Sequence, residues 1–159
     1  MLKPLFKKIT STDEKTLEKM TSWMYEWWEK DEDFSPDAVA CYLKHGMQEN
    51  RLPQTYGIFL GQDIIGMYQF LYDDLTVRPD IYPWLANVYV EEKYRGKGFG
   101  KILMENIKRT AQEDIDFDEI YLYTEHFGLY EKFGWEFVSE IDTFLDGKRI
   151  QRLYRLKLR

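Results

Sequence analysis

The sequence predicts a single-domain protein of the α/β class (α+β type), with a mixed, mostly antiparallel sheet and helices on both faces. Strand and helix signals follow each other in the order strand, two helices, three strands, helix, strand, helix, and two or three strands. No repeat, linker or low-complexity tract interrupts the 159 residues. That length fits one domain, so we expect one domain over residues 1–159.

The strand signals are apolar runs bounded by turn residues. They cover 5–10, 54–60, 63–71, 82–90, 120–123 and two last runs joined at Asp146-Gly147. In the strand over 82–90 we expect strict alternation, with Ala86, Val88 and Val90 on one face and Leu85 and Tyr89 on the other.

The helix signals are capping residues followed by apolar residues at helical spacing. The first two helices are predicted to begin at the caps Ser11 and Ser35, and the other two cover 98–113 and 125–133. The single cysteine, Cys41, lies within the second helix, and we expect it to be a small buried side chain.

The composition excludes several classes of function. A net charge of -6 and a pI of about 5.1 argue against a nucleic-acid binder, which requires a basic surface. No apolar run reaches the ~20 residues of a membrane span, and the N-terminus lacks a signal-peptide core. One cysteine and two histidines predict no disulfide and no metal site, and they favour a cytoplasmic location. The sequence leaves a homodimer open.

The most informative stretch joins the strand 82–90 to the helix 98–113, and it reads Arg95-Gly96-Lys97-Gly98-Phe99-Gly100-Lys101. Glycines let successive N–H groups point into one hollow, where a helix N-terminus adds partial positive charge. This turn is therefore predicted to bind a phosphate or pyrophosphate. A dinucleotide fingerprint requires Gly at position 101 and a P-loop requires Ser or Thr at position 102, but the chain has Lys101 and Ile102.

This turn, entered by Val88-Tyr89-Val90, resembles the coenzyme A pyrophosphate loop of the GCN5-related N-acetyltransferase (GNAT) family. Downstream, Leu129-Tyr130-Glu131-Lys132-Phe133-Gly134-Trp135 resembles the family's second signature, and the order of elements agrees with that fold. The resemblance implies a GNAT-like fold and an acyltransferase that transfers groups other than aminoacyl groups. Such an enzyme moves an acetyl group from acetyl-coenzyme A, its cosubstrate, to a primary amine.

The resemblance also implies roles for individual residues. The backbone of Val88, Tyr89 and Val90 is expected to hydrogen-bond the pantetheine arm as an added strand. Amides from Arg95 through Gly100 are expected to hold the pyrophosphate. Tyr130 is expected beside the thioester sulfur, where it acts as the general acid for the leaving thiolate. A backbone N–H of the strand 82–90, which should splay from the strand 119–123, is the natural donor to the oxyanion.

Two departures from the family pattern leave the general base open. Trp84 stands where some members carry a catalytic Glu, and Tyr123-Thr124-Glu125-His126 lacks the frequent Asn of that region. The open routes for the amine proton are water relayed to Asp80, to Glu125 or to a backbone carbonyl, or no base at all. We expect His126 to be a surface or packing residue.

The stretch from Trp23 to Phe34 combines tryptophans with carboxylates. Trp27 and Trp28 are adjacent and point about 100° apart on a helix, so one of them is expected to face the substrate cleft. Aromatic faces beside carboxylates suit a cationic amine. The predicted substrate residues are Trp27, Trp28, Glu29, Asp31 and Trp84. The other interpretation is a core stripe followed by a solvated acidic turn.

The sequence thus predicts direct acetyl transfer to a small cationic amine, with no nucleic acid, membrane or metal as partner. Two alternatives stay open, a protein or peptide N-acetyltransferase and a non-catalytic sensor that binds acyl-coenzyme A. Tyr130 favours the enzyme, whereas the lack of a strand Glu favours the sensor.

Overall fold

A computed structural model describes residues 3–28 and 34–159. Within them lie three α-helices, which are α1 (Glu14–Trp27), α2 (Pro36–His45) and α3 (Phe99–Asp114). The strands are β1 (Leu5–Ile9), β2 (Gln54–Leu60), β3 (Asp63–Leu71), β4 (Trp84–Val90), β5 (Glu119–Thr124), β6 (Glu136–Asp142) and β7 (Ile150–Lys157). Two 3-10 turns cover Glu92–Tyr94 and Tyr130–Phe133.

The seven strands form one sheet in the order β1-β2-β3-β4-β5-β7-β6. β1 with β2, β2 with β3, β5 with β7 and β6 with β7 are antiparallel pairs, whereas β4 and β5 are parallel. The predicted mixed, mostly antiparallel α/β fold is confirmed. Strand β4 lies at the centre of this order, and it registers with β5 at Trp84 and Tyr121.

The starts of the first two helices differ in how well the sequence predicts them. Ser35 caps α2 as predicted, since its hydroxyl oxygen accepts a hydrogen bond from the Ala38 N–H at 3.1 Å. The prediction for α1 was wrong by two residues, because Asp13 rather than Ser11 is the cap and accepts from the Thr16 N–H at 2.7 Å. A carboxylate at this place also interacts favourably with the helix dipole. No helix in the described part of the chain is long and apolar enough to cross a bilayer.

The chain divides into two compact units, and each has a core of its own. The first comprises the described residues of Met1–Phe70 together with Asn87–Arg95, and the second comprises Leu71–Ala86 and Gly96–Arg159. In the first, the buried faces of α1 and α2 pack with apolar residues of β1 and β3, among them Ile9, Met20, Leu43, Ile64 and Met67. In the second, Trp84 packs with Leu75, Ile81, Ile141 and Leu153. One domain over 1–159 stays a prediction.

Strand β4 does not alternate as expected. Asn87 has a φ of 53°, in the left-handed region, and the residues before it are buried while those after it are half-buried. A left-handed residue turns the backbone and interrupts the alternation. Ala86 and Val88 therefore do not lie on one continuous face of the strand. The division between the two units falls at this point, between Ala86 and Asn87.

Other corrections concern a helix, a turn and a buried residue. The helix expected over 125–133 is only the 3-10 turn Tyr130–Phe133, because Gly128 takes a φ of 82° and interrupts it. The turn at Asp146-Gly147 is confirmed, but the strands stop at Asp142 and Ile150, so the connection is longer than two residues.

Cys41 is exposed, not buried as expected. It lies on α2 opposite the buried stripe of Val39 and Leu43. Its sulfur lies 3.6 Å from Nδ1 of His45. Nothing about this position favours a nucleophile over the direct attack expected from the sequence.

Gly66 of β3 is predicted to tolerate no side chain, because β4 approaches it closely. A Cβ at this position would lie 2.6 Å from the carbonyl oxygen of Tyr89 and 2.9 Å from a side-chain carbon of Ile58. We expect Gly66→Ala to lower the free energy of unfolding by about 1–3 kcal/mol, as overpacking does. Chemical denaturation measures this loss.

The matched control is Gly100→Ala. Its Cβ would meet no atom within 4 Å, and Gly100 lies in the first turn of α3, where alanine is favoured by roughly 0.5–1 kcal/mol. Equal stabilities of the two variants would contradict the close approach of β4 to Gly66.

Candidate active site

The glycine-rich turn forms the start of α3, as the sequence predicts. Gly96 and Gly98 have φ values of 74° and 83°, and a Cβ at either of them or at Gly100 would meet no atom within 4 Å. Gly98 is the N-cap of α3 and has no side chain to cap it, so the first amides of the helix remain open to a ligand. Lys97 and Lys101 are exposed beside them. The turn therefore fits an anion bound through backbone N–H groups.

Arg95 lies just before this turn, and its side chain folds back within the first unit. Its Nε donates to the carbonyl oxygen of Val90 at 2.7 Å. Its guanidinium lies over the rings of Trp27 and Tyr89, 5.1 Å and 5.2 Å from their centroids. The cationic group of Arg95 thus binds aromatic faces in this structure.

Tyr89 is the centre of an aromatic cluster, which we call the Tyr89 cluster and define as Trp23, Trp27, Trp28 and Tyr89. Trp23 stacks on Tyr89 at 5.0 Å, while Trp27 and Trp28 meet it edge-on at 5.8 Å and 6.5 Å. Because Trp28 is the C-cap and has left the helical conformation, both tryptophans reach Tyr89, and the expectation that one of them faces the substrate cleft stays a prediction. Trp27 is 53% exposed. The other predicted substrate residues of this stretch, Glu29 and Asp31, lie outside the described residues.

Tyr130 opens the 3-10 turn that follows β5, and α3 contacts this turn. Its ring packs on Trp135 and Tyr154, with centroids 6.1 Å and 5.8 Å away. Burial, helped by the neighbouring Tyr154, raises the pKa of Tyr130 above its ordinary value. Its hydroxyl makes no hydrogen bond to another residue that the structure describes. A neutral phenol of this kind can donate a proton or a hydrogen bond.

The turn that carries Tyr130 is held by Glu131. One carboxylate oxygen of Glu131 accepts from the Gly128 N–H at 3.0 Å, and the other accepts from the Tyr154 hydroxyl at 3.0 Å. Gly134 closes the turn with a φ of 90°. These contacts fix the position of Tyr130 from both sides.

Trp84, which replaces the strand Glu of some relatives, is fully buried. It packs in the core of the second unit, and its ring meets Tyr123 edge-on at 5.7 Å. Its Nε1 has no hydrogen-bond partner among the described residues. An unpaired buried donor costs free energy, but an indole cannot accept the proton of an amine.

The residues proposed to relay the amine proton are engaged elsewhere. Both oxygens of Asp80 accept from Arg78, at 2.9 Å and 2.8 Å, and this hydrogen-bonded pair lowers the pKa of Asp80. Glu125 is exposed and lies 3.5 Å from Lys148. His126 is exposed, as expected. The lowered pKa makes Asp80 a weaker base than an ordinary carboxylate.

Sequence reasoning missed Asn87, whose left-handed backbone lies directly before Val88, Tyr89 and Val90. A signal was present, since Asn is depleted in strands, yet it interrupts a run of apolar residues in β4. Asn also tolerates positive φ better than most residues. That combination indicates a break in the strand.

The structure contains an open groove between α1 and α2 with a volume of about 720 Å³. The described residues that line it include Glu14, Glu18, Tyr25, Asp37 and Lys44, and no predicted site residue is among them. Within the described residues, no group of three His, Cys, Asp or Glu side chains could hold a metal ion.

Comparisons with known proteins agree with the sequence signatures. The family model described as "Acetyltransferase (GNAT) family" matches residues 16–135. A curated relative, the spermine/spermidine N(1)-acetyltransferase of Bacillus subtilis (strain 168), is 28% identical over 95 residues. That match covers 54% of this chain and 61% of the relative, so less than two thirds of the relative's length is spanned.

Solved structures share the fold over nearly the whole chain. A GNAT-family acetyltransferase from Streptococcus pneumoniae has a TM-score of 0.67 at 16% identity, covering 98% of this chain and 99% of that one. A chimera of the spermidine N-acetyltransferase SpeG from Vibrio cholerae and hSSAT has a TM-score of 0.72 at 16% identity, covering 96% and 95%. At such identity the likeness shows the fold alone.

The raised pKa of Tyr130 is open to direct measurement. We expect the difference in ultraviolet absorbance between the parent and Tyr130→Phe to report one phenol with a midpoint above its ordinary value of about 10. Because burial disfavours the phenolate, the hydroxyl should stay protonated throughout the neutral range. A midpoint at or below 10, in a variant whose circular dichroism matches the parent, would contradict the burial of this group.

Proposed function

The chain belongs to the GNAT acetyltransferase family, and from this premise we propose that it moves an acetyl group from acetyl-coenzyme A to a small cationic primary amine. GNAT acetyltransferases use acetyl-coenzyme A as cosubstrate. The observation that carries the proposal is the open glycine turn at the uncapped start of α3, where Gly96 and Gly98 take positive φ. Amides from Arg95 through Gly100 bind the pyrophosphate there, with Lys97 and Lys101 adding charge. Backbone groups of Val88 and Val90 bind the pantetheine arm.

The chemistry proposed for this site is direct transfer. The amine nitrogen forms a bond to the acetyl carbon, and the carbon–sulfur bond breaks. Tyr130 gives its hydroxyl proton, or a strengthening hydrogen bond, to the departing thiolate. A backbone N–H of β4 donates to the oxyanion. The raised pKa of Tyr130 keeps the proton on the phenol until that moment.

The excess proton of the amine leaves through water in this proposal. Trp84 has no basic atom, and Asp80 is tied to Arg78 with a lowered pKa. Glu125 pairs with Lys148. Relay through ordered water, or loss of the proton from the amine before attack, requires none of these side chains to be a strong base.

The acceptor proposed is a small amine with a second positive charge. The Tyr89 cluster already holds one cation, the guanidinium of Arg95, over Trp27 and Tyr89. A spermine/spermidine acetyltransferase among the relatives supports the same class of substrate. The reacting amine is neutral when it attacks, so a remote charge on the substrate is the one that aromatic faces bind.

A non-catalytic sensor of acyl-coenzyme A is the second candidate, and the buried Trp84 in place of an acid favours it. A protein or peptide acceptor remains the alternative within the enzyme class. Cytoplasmic location and a homodimer stay predictions. An exposed part of β6, at the edge of the sheet and including Phe137 and Val138, supports self-association.

Tyr130→Phe is predicted to lower kcat by about 100-fold while leaving coenzyme affinity nearly unchanged. The hydroxyl acts mainly in the transition state, so ground-state binding is spared. Thiol release from acetyl-coenzyme A measures kcat, and the coenzyme-dependent rise in melting temperature measures binding. If acetyl-coenzyme A raises the melting temperature of the parent protein but no amine accelerates thiol release, the protein is the sensor. An unchanged kcat in the variant removes Tyr130 from the mechanism.

Trp27→Leu is predicted to raise KM for a diamine or polyamine by roughly 2- to 5-fold, since an exposed cation–π contact is worth about 0.5–1 kcal/mol. KM for an amine without a second charge should change little. The control is Tyr72→Leu, which removes an aromatic side chain with the same 53% exposure outside the Tyr89 cluster. Equal effects of the two variants, or a parental preference for neutral acceptors, would contradict the cationic-amine proposal.

A further inference from the structure

A chain of hydrogen bonds crosses the first unit from β4 to the end of α2. Nδ2 of Asn87 lies 2.6 Å from Oε1 of Gln69, and Nε2 of Gln69 lies 2.9 Å from Oγ1 of Thr55. Oγ1 of Thr55 in turn lies 2.8 Å from the carbonyl oxygen of Gly46. Gln69 and Thr55 are both 0% exposed. Buried polar groups that satisfy one another favour a single arrangement, because breaking any bond leaves an unpaired group behind.

The direction of this chain is fixed by its last member. The Gly46 carbonyl can only accept a hydrogen bond, so the Thr55 hydroxyl donates its one hydrogen to it. Thr55 must then accept from Gln69, which turns the amide nitrogen of Gln69 toward Thr55 and its oxygen toward Asn87. Asn87 is therefore the donor of the first bond.

The bond from Asn87 holds a backbone conformation that L-residues rarely adopt. The φ of Asn87 is 53°, and Asn is among the few non-glycine residues that tolerate this region. The segment that follows, Val88–Val90, is also held at its far end. There the Glu91 N–H donates to the Ile65 carbonyl at 2.8 Å, and Lys19 pairs with the Glu91 carboxylate at 2.6 Å.

We infer that Gln69 is a positioning residue for acyl transfer, which acts through Asn87 to set the direction of the Val88–Val90 backbone. This inference rests on the proposed function, in which that backbone binds the pantetheine arm and β4 supplies the oxyanion donor. Gln69 is fully buried, so its effect reaches the reacting atoms only through Asn87. Loss of the tether lets β4 rotate about Asn87, and a shift near 1 Å costs about 100-fold in rate.

The test is steady-state thiol release by the full chain carrying Gln69→Leu or Asn87→Asp. Gln69→Leu removes the bonds to Asn87 and Thr55 together. Asn87→Asp keeps the shape and the tolerance of positive φ but cannot donate to Gln69 when ionised. We expect kcat to fall roughly 10- to 100-fold in each, with a much smaller change in KM for the amine.

A rescue and a control separate positioning from stability. Adding Asn87→Gly to Gln69→Leu should recover most of the lost kcat, because glycine adopts positive φ without a tether. The control is Gln54→Leu, which removes another buried glutamine of the same unit. Gln54 is 1% exposed, and its Nε2 donates to the Glu49 carbonyl at 2.9 Å, away from Asn87. It should lose comparable stability and keep kcat.

If the parent is active and Gln69→Leu has the same kcat as Gln54→Leu, the inference is overturned. It is also overturned if adding Asn87→Gly to Gln69→Leu does not restore kcat. Should Gln69→Leu fail to fold, the kcat of Asn87→Asp is compared with that of the exposed control Asn50→Asp. Equal kcat values in these two variants overturn the inference. A parent that releases no thiol with any amine overturns the proposed function itself. That result is seen before any variant is made, and the positioning role of Gln69 is overturned with it.

Discussion

The left-handed backbone of Asn87 is the constraint on which the candidate site depends. The N–H and C=O groups of a strand within a sheet normally hydrogen-bond to its two neighbouring strands, so none is left for a ligand. Within the described residues β4 registers with β5 only at Trp84 and Tyr121, on the N-terminal side of Asn87. The turn at Asn87 changes which face the residues of β4 present, and the coenzyme role proposed for Val88 and Val90 falls on the part of the strand that follows it.

In the proposed function, recognition through the backbone explains why so few side chains mark the coenzyme region. The turn at Gly96 and Gly98 offers amides, α3 offers its open first turn, and β4 offers its peptide groups. Side chains enter where charge or proton transfer is required. In the proposed function, Tyr130 provides a proton from a partly buried position, and the Tyr89 cluster, which here holds Arg95, provides faces for a cation.

Features that depend on neighbouring residues in the chain were predictable from the sequence. The cap at Ser35 and the turn at Asp146-Gly147 each follow from local backbone chemistry. The start of α1 was misassigned because Ser11, Thr12 and Asp13 are all capable caps, and only the structure selects one. The exposure of Cys41 could have been predicted from the sequence, since it lies on the face of α2 opposite Val39 and Leu43.

Features that depend on distant residues were not predictable. The conformation of Asn87 is held by Gln69, 18 positions earlier, and that bond exists only once β3 and β4 are in place. The position of Arg95 over Trp27 and Tyr89 likewise depends on α1 meeting β4. The roles given to Val88, Val90 and Tyr130 come from resemblance and remain proposals.

Each hydrogen bond from Asn87 to Gly46 has a fixed donor and a fixed acceptor, and this limits the substitutions that these positions can accept. A buried donor can be exchanged only for another donor facing the same way. A change at position 55 or 87 therefore leaves Gln69 without one of its partners, and a change at position 69 removes a partner from both of the others. These positions are expected to vary jointly among relatives or not at all. Position 46 brings its carbonyl whatever the residue, but a Cβ there would lie 3.2 Å from Nε2 of Gln69, so its side chain is coupled to the same set. Divergence in this part of the molecule is thus coupled across three consecutive strands and the end of α2.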